Sequence, residues 1–101
     1  MTVLSRIKRA VFAGRFEVSE KARIEMFCDG LDDQDLVEAI ANANRIDKTL
    51  RSVNPISGRR ERLYVIISRT LRGIRLYTKG KFVEEHGVET YYFFISAKRA
   101  S

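Results

Sequence analysis

Residues 61–81, ERLYVIISRTLRGIRLYTKGK, read as two β-strands joined by a tight turn, with Gly73 at or just past that turn. Strand side chains alternate between faces, so Leu63, Val65 and Ile67 fall on one side of the first strand and Arg62, Tyr64, Ile66 and Ser68 on the other. In the second strand Ile74, Leu76 and Thr78 share a face, opposite Arg75, Tyr77 and Lys79. A hairpin with one oily side and one side of Arg, Tyr and Lys predicts a sheet that is covered by helices on a single face. The open face then presents Arg62, Tyr64, Arg75, Tyr77 and Lys79 together.

The flanking segments extend the sheet. Glu84-Glu85-His86-Gly87 makes another turn, and Val88–Ser96 follows with Tyr91, Tyr92, Phe93, Phe94 and Ile95 in a row. A run that is apolar on both faces predicts a strand inside the sheet rather than at its edge. Ahead of the hairpin, Ile46, Lys48, Leu50 and Ser52 alternate with Asp47, Thr49 and Arg51, which predicts a further strand. The loop SVNPISGRR (52–60) holds the only proline and places Arg59 and Arg60 on a turn-rich element.

The N-terminal half is helical in pattern. Leu4, Ile7 and Val11 recur at helical spacing over 2–13, with Thr2 as a cap and Gly14 as a stop; Arg6, Lys8 and Arg9 give the outer side a basic rim. A second helix is expected over Glu20–Cys28, capped by Ser19 and ended by Gly30, with Ala22, Ile24, Met26, Phe27 and Cys28 turned to the core. A third is expected from Asp33 to about Asn44, capped by Asp32 and buried along Leu36, Val37, Ile40 and Ala41. The expectation is one α+β domain over 1–101: three N-terminal helices on one face of a mainly antiparallel, twisted four-stranded sheet.

Composition bounds the function. At 45% hydrophobic and 32% charged residues the chain is globular rather than disordered. A single cysteine and a single histidine exclude an internal disulfide and a Cys/His zinc site, and no nucleotide-binding glycine loop is present, so no cofactor or metal is expected. No apolar run reaches the length of a membrane span, and the N-terminus mixes charges among its apolar residues, unlike a signal peptide; a cytoplasmic protein without membrane association is expected. The net charge is +6, yet residues 1–50 carry 8 Lys/Arg against 9 Asp/Glu, whereas residues 51–101 carry 11 against 4. The positive excess belongs to the sheet half, which points to a phosphate-rich partner. Eight carboxylates between Glu17 and Glu38, against Lys21 and Arg23, argue that the second and third helices are not a DNA-reading helix-turn-helix.

A basic and aromatic sheet face binds single-stranded RNA by neutralising phosphates and stacking bases. It can also cleave RNA without a metal. The 2′-hydroxyl is then the nucleophile, and the protein supplies alignment, a base, an acid and cations for the developing charge. Tyr64, Tyr77, Lys79, Arg62 and Arg75 are the catalytic candidates. Arg51, Arg59, Arg60, Lys81 and His86 are candidate RNA contacts, with His86 either a solvated turn residue or an acid. A non-catalytic RNA-binding module and a protein-interaction domain that receives an acidic partner on the same face remain alternatives. A monomer and a homodimer are both compatible with the residues.

Ser-Glu-Lys-Ala-Arg-x-x-Met (19–26), Asp-Gly-Leu-Asp-Asp-Gln-Asp-Leu-Val-Glu-Ala-Ile (29–40) and the ending Phe-Ile-Ser-Ala-Lys-Arg-Ala-Ser (94–101) resemble small bacterial toxins of the RelE-like superfamily. MqsR-like members are similar over most of the chain, through the basic first helix ending Ala-Gly and the Tyr of Leu-Tyr-Val-Ile (63–66); BrnT-like members are similar mainly over Ile95–Ser101. The resemblance implies a RelE-like fold and a metal-independent mRNA endoribonuclease neutralised by a cognate antitoxin. It matches Tyr64 to the family's strand tyrosine, Lys79 or Lys81 to a basic residue near the end of the next strand, and Arg51 or Lys48 to one on the first strand.

Overall fold

Thr2, Ser19 and Asp32 start the three helices. The computed structural model describes residues 1–101. The Ser5 amide donates to Thr2 Oγ1 (3.1 Å) and opens α1, Val3–Phe12. The Ala22 amide donates to Ser19 Oγ (3.0 Å) and opens α2, Glu20–Cys28. At α3, Asp33–Asn42, the Asp35 amide donates to Asp32 Oδ1 (2.9 Å) while the Asp32 amide donates to Asp35 Oδ2 (3.1 Å), a reciprocal capping box.

The strands are β1 (Phe16–Val18), β2 (Lys48–Val53), β3 (Arg60–Arg69), β4 (Arg75–Glu85) and β5 (Val88–Arg99). They form a five-stranded sheet in the order β1-β5-β4-β3-β2, antiparallel except for the β1–β5 pair. The expected four strands are therefore joined by a fifth. Phe16–Val18 is too short to show an alternating pattern, and it is a strand only because Tyr92–Phe94 pairs with it. β5 is interior, as its doubly apolar pattern implies. His86 and Gly87 close the β4–β5 hairpin with φ of 55° and 77°, the backbone of a type I′ turn.

The helices cover one face of the sheet. Ile7, Ala10 and Val11 of α1, Ala22 and Met26 of α2, and Leu36, Ala39 and Ile40 of α3 pack with Tyr64, Ile66, Leu76, Tyr92, Phe94 and Ala97. Several expected core residues lie elsewhere. Ala41 is exposed and Ala39 takes its place; on α2, Ile24 and Phe27 are 57% and 85% exposed, and Cys28 is also on the surface. The reason is that α2 lies along the edge of β5 with only Ala22 and Met26 as its buried apolar residues, and polar side chains of the same face make the rest of the contact.

That edge explains the acidity of α2. β1 pairs with β5 only as far as Phe94, leaving the next amides of β5 without a strand partner. Glu25 Oε1 accepts from the Ala97 amide (3.3 Å) and the Ser96 hydroxyl (2.8 Å), and Asp29 Oδ2 accepts from the Arg99 amide (2.8 Å). Carboxylates thus complete a strand edge that would otherwise carry orphaned donors. Burial alone would raise the Glu25 pKa. The Ser96 and Ala97 hydrogen bonds, with Lys21 and Lys98 nearby, outweigh it and hold the carboxyl below its ordinary value. Asp35 is likewise lowered: burial opposes ionisation, but the Asp32 amide and the Arg72 guanidinium at 2.8 Å prevail.

A lowered folded pKa means that the stabilisation is complete above the unfolded value and is lost as pH falls through the folded one. Acid unfolding should therefore set in below about pH 4. Thermal melts across that range should show a shallower acid limb for Glu25→Gln than for the wild type; an unchanged limb would contradict this role.

Candidate nucleic-acid interface

Pairing between β3 and β4 runs from Arg69–Arg75 to Tyr64–Gly80 and then stops, whereas β2–β3 continues to Val53–Arg60 and β4–β5 to Glu85–Val88. The sheet forks. One arm is the β2–β3 ribbon with the Asn54–Arg59 loop; the other is the β4–β5 hairpin. Between them lies a cleft of about 420 Å³ lined by Arg59, Arg60, Arg62 and Tyr64 on one side and Lys81, Phe82, Glu84 and Glu89 on the other, with Arg6 of α1 behind.

Charge is unevenly neutralised in this cleft. Lys81 bridges the fork to Glu61 at 2.8 Å. Arg6 pairs with Glu89 and lies over the Phe82 ring, 4.6 Å from its centroid. Arg51, Arg59, Arg60 and Arg62 have no carboxylate partner. Arg51 and Arg62 are moreover direct cross-strand partners, and with Arg60 they line a second hollow beside the first. Like charges placed opposite one another destabilise a ladder. Four unpaired guanidiniums on one exposed ribbon have the chemistry to receive a polyanion.

Aromatic rings floor the cleft. Tyr64 meets Phe82 edge to face at 6.1 Å, Phe82 meets Tyr92 at 5.2 Å, and Tyr92 meets Phe94 at 5.1 Å. Tyr64 is 7% exposed, and the sealed, unpartnered hydroxyl is that of Tyr92. Burial, with Tyr64 alongside, pushes the Tyr92 phenol far up. An unsatisfied buried hydroxyl costs about 1–3 kcal/mol. Tyr92→Phe should therefore raise stability by about 1 kcal/mol in urea denaturation; a net loss would show that the hydroxyl has a partner in solution.

The register divides the expected site. Even-numbered residues of β3 pair with even-numbered residues of β4, as in Ile66–Thr78 and Ile67–Tyr77 for the odd set. Arg62 and Tyr64 consequently share the helix side with Leu76 and Thr78, while Arg75, Tyr77 and Lys79 share the opposite side with Val65 and Ile67. The expectation of one face carrying all five is corrected. The turn is five residues, Thr70–Ile74, and turn length sets which face of one strand continues onto the next.

Arg59, Arg60, Arg62, Tyr64 and Lys81 do meet in the cleft, and Arg51 adjoins it. Arg75 lies in a separate hollow with Arg69, and its guanidinium donates to the Ser101 carbonyl (3.0 Å). His86 sits exposed at the tip of the β4–β5 hairpin. Glu84, Glu89 and Phe82 were not singled out by sequence; Arg6 was visible only as part of a basic rim. No helix is long and apolar enough to cross a membrane. No protein-family model, curated protein or solved structure matches the chain.

Proposed function

We propose that the protein binds single-stranded RNA in the fork of its sheet and cleaves it without a metal, as a toxin-like mRNA endoribonuclease of the RelE-like type. In this reading it acts in the cytoplasm and is neutralised by a cognate antitoxin protein. The observation that supports it is the fork: unpaired Arg59, Arg60 and Arg62 face Glu84 across a cleft floored by Tyr64. Arginines hold the phosphate oxygens and stabilise the charge that develops on them. Glu84, which forms no ion pair, takes the proton of the 2′-hydroxyl as that oxygen attacks phosphorus. The bond to the 5′-oxygen breaks, and the Tyr64 hydroxyl protonates the leaving group. The products are a 2′,3′-cyclic phosphate and a free 5′-hydroxyl.

The test is incubation with a labelled single-stranded RNA in EDTA. Glu84→Gln and Tyr64→Phe should each slow cleavage about 100-fold or more while RNA still binds. Tyr77→Phe and Lys79→Ala, on the opposite side of the sheet, should keep it. An oligonucleotide lacking the 2′-hydroxyl should bind and stay intact. Binding with no cleavage by the wild type would leave a non-catalytic RNA-binding module.

A further inference from the structure

The side of the sheet away from the helices carries an aliphatic ridge. Leu50 pairs with Leu63 and Val65 lies between Lys48 and Lys79 along rows of β2, β3 and β4; Ile67 pairs with Tyr77 beyond the end of β2, where its amide donates to Asp47 Oδ2 (2.6 Å). The ridge residues are half-buried, and Val65 is only 5% exposed although no helix lies over it. Its direct cross-strand neighbours are the two lysines, whose stems can shelter it while their ammonium groups reach water. Arg69 and Arg75 face one another at one end of the ridge. None of Lys48, Lys79, Arg69 and Arg75 pairs with an Asp or Glu side chain, while Arg69 and Arg75 donate to the Gly73 and Ser101 carbonyls (3.1 and 3.0 Å).

We infer that this ridge docks an amphipathic helix of a partner protein, with an aliphatic stripe flanked on both sides by carboxylates. The fit is steric and electrostatic. Three adjacent strands span about 10 Å between the outer two, close to the roughly 10 Å diameter of a helix. Carboxylates along the flanks of such a helix would meet Lys48 on one side and Lys79 on the other, with Arg69 and Arg75 at one end. A second copy of the chain is disfavoured, because face-to-face packing would oppose two cationic rims. RNA is disfavoured too: aliphatic side chains offer bases no stacking plane, and Lys98 already sits 5.6 Å over the ring of Tyr77. The site is separate from the RNA cleft and does not depend on RNA cleavage, although a neutralising partner would be one natural source of the helix.

The probe is a synthetic amphipathic helix with a leucine stripe flanked by glutamates, titrated into isotope-labelled full-length protein. A lysine-flanked counterpart and a single-stranded RNA oligonucleotide form the other arms. The glutamate peptide should give saturable amide shifts centred on Leu50, Leu63, Val65 and Ile67, weakening at least tenfold in Lys79→Glu. The lysine peptide should not bind, and RNA should shift Arg60, Arg62 and Tyr64 instead. Equal binding of both peptides, no binding of the glutamate peptide, RNA shifts on the ridge, or a concentration-dependent dimer that buries it would each overturn the inference. RNA binding measured on Arg62→Ala separates its failure from that of the cleft: a lost ridge with an intact RNA site, or the reverse, condemns only one.

Discussion

Gly80→Ala should cost about 3 kcal/mol, at the upper end of what overpacking a core causes. For a domain of this size that is a fall of roughly 10–20 °C in melting temperature. A Cβ at Gly80 would lie 2.5 Å from Tyr92 Cε2 and 2.7 Å from its hydroxyl oxygen. Tyr92 cannot yield easily. It is fully buried, wedged edge to face between Phe82 and Phe94, and its ring crosses the strand where glycine leaves room. The β4–β5 register also shifts between Lys79 and Gly80, so the backbone there is already irregular. A double-mutant cycle with Tyr92→Leu checks the cause. If the methyl and the ring collide, the double variant will be less unstable than the sum of the singles. Additive losses, or a single loss under about 1 kcal/mol, would mean that the strand relaxes around the methyl.

Gly80 also shows what a single sequence can and cannot convey. A glycine inside a strand pattern marks a bulge or a close approach, but Thr78-Lys79-Gly80-Lys81 also reads as the end of a strand, and the aromatic that fills the space is twelve residues away. The helices were legible because their signals are local: Thr2, Ser19 and Asp32 cap them within a turn, and Gly14 and Gly30 follow with positive φ. The sidedness of the hairpin was not. β3 is apolar on both faces, Tyr64 and Ile66 on one and Leu63, Val65 and Ile67 on the other, so alternation alone could not say which side the helices take. The fork is harder still, since it depends on where one ladder stops while its neighbours continue. What the charge distribution did foreshadow is the crowd of arginines at Arg51 and Arg59–Arg62. The common face of Arg51, Arg60 and Arg62 follows from the β2–β3 register.

Arg51→Ala should move stability and RNA affinity in opposite directions. Arg51 and Arg62 are direct partners on the helix side of the sheet, with neither charge neutralised and Arg60 beside them. Relieving that repulsion should stabilise the fold by a few tenths to about 1 kcal/mol. The same change removes a phosphate contact, so RNA should bind about tenfold more weakly at moderate salt, in line with about 1.4 kcal/mol for one charge-assisted contact. The slope of log affinity against log salt should also shrink by about 0.7, the share of one phosphate on a single strand. Arg60→Ala and Arg62→Ala should each lower the slope by a similar step, and the triple variant should lose about 2 from it, leaving the share of Arg59. Lys48→Ala, on the same strand but the opposite face, should leave the slope unchanged if the cleft and its adjoining hollow are the RNA site. A repulsive pair kept at a cost in stability is the expected mark of a surface shaped for an anion rather than for the fold. Were Arg51→Ala to destabilise the protein while leaving the salt slope intact, the arginines would be structural and the RNA reading of the fork would fall with them.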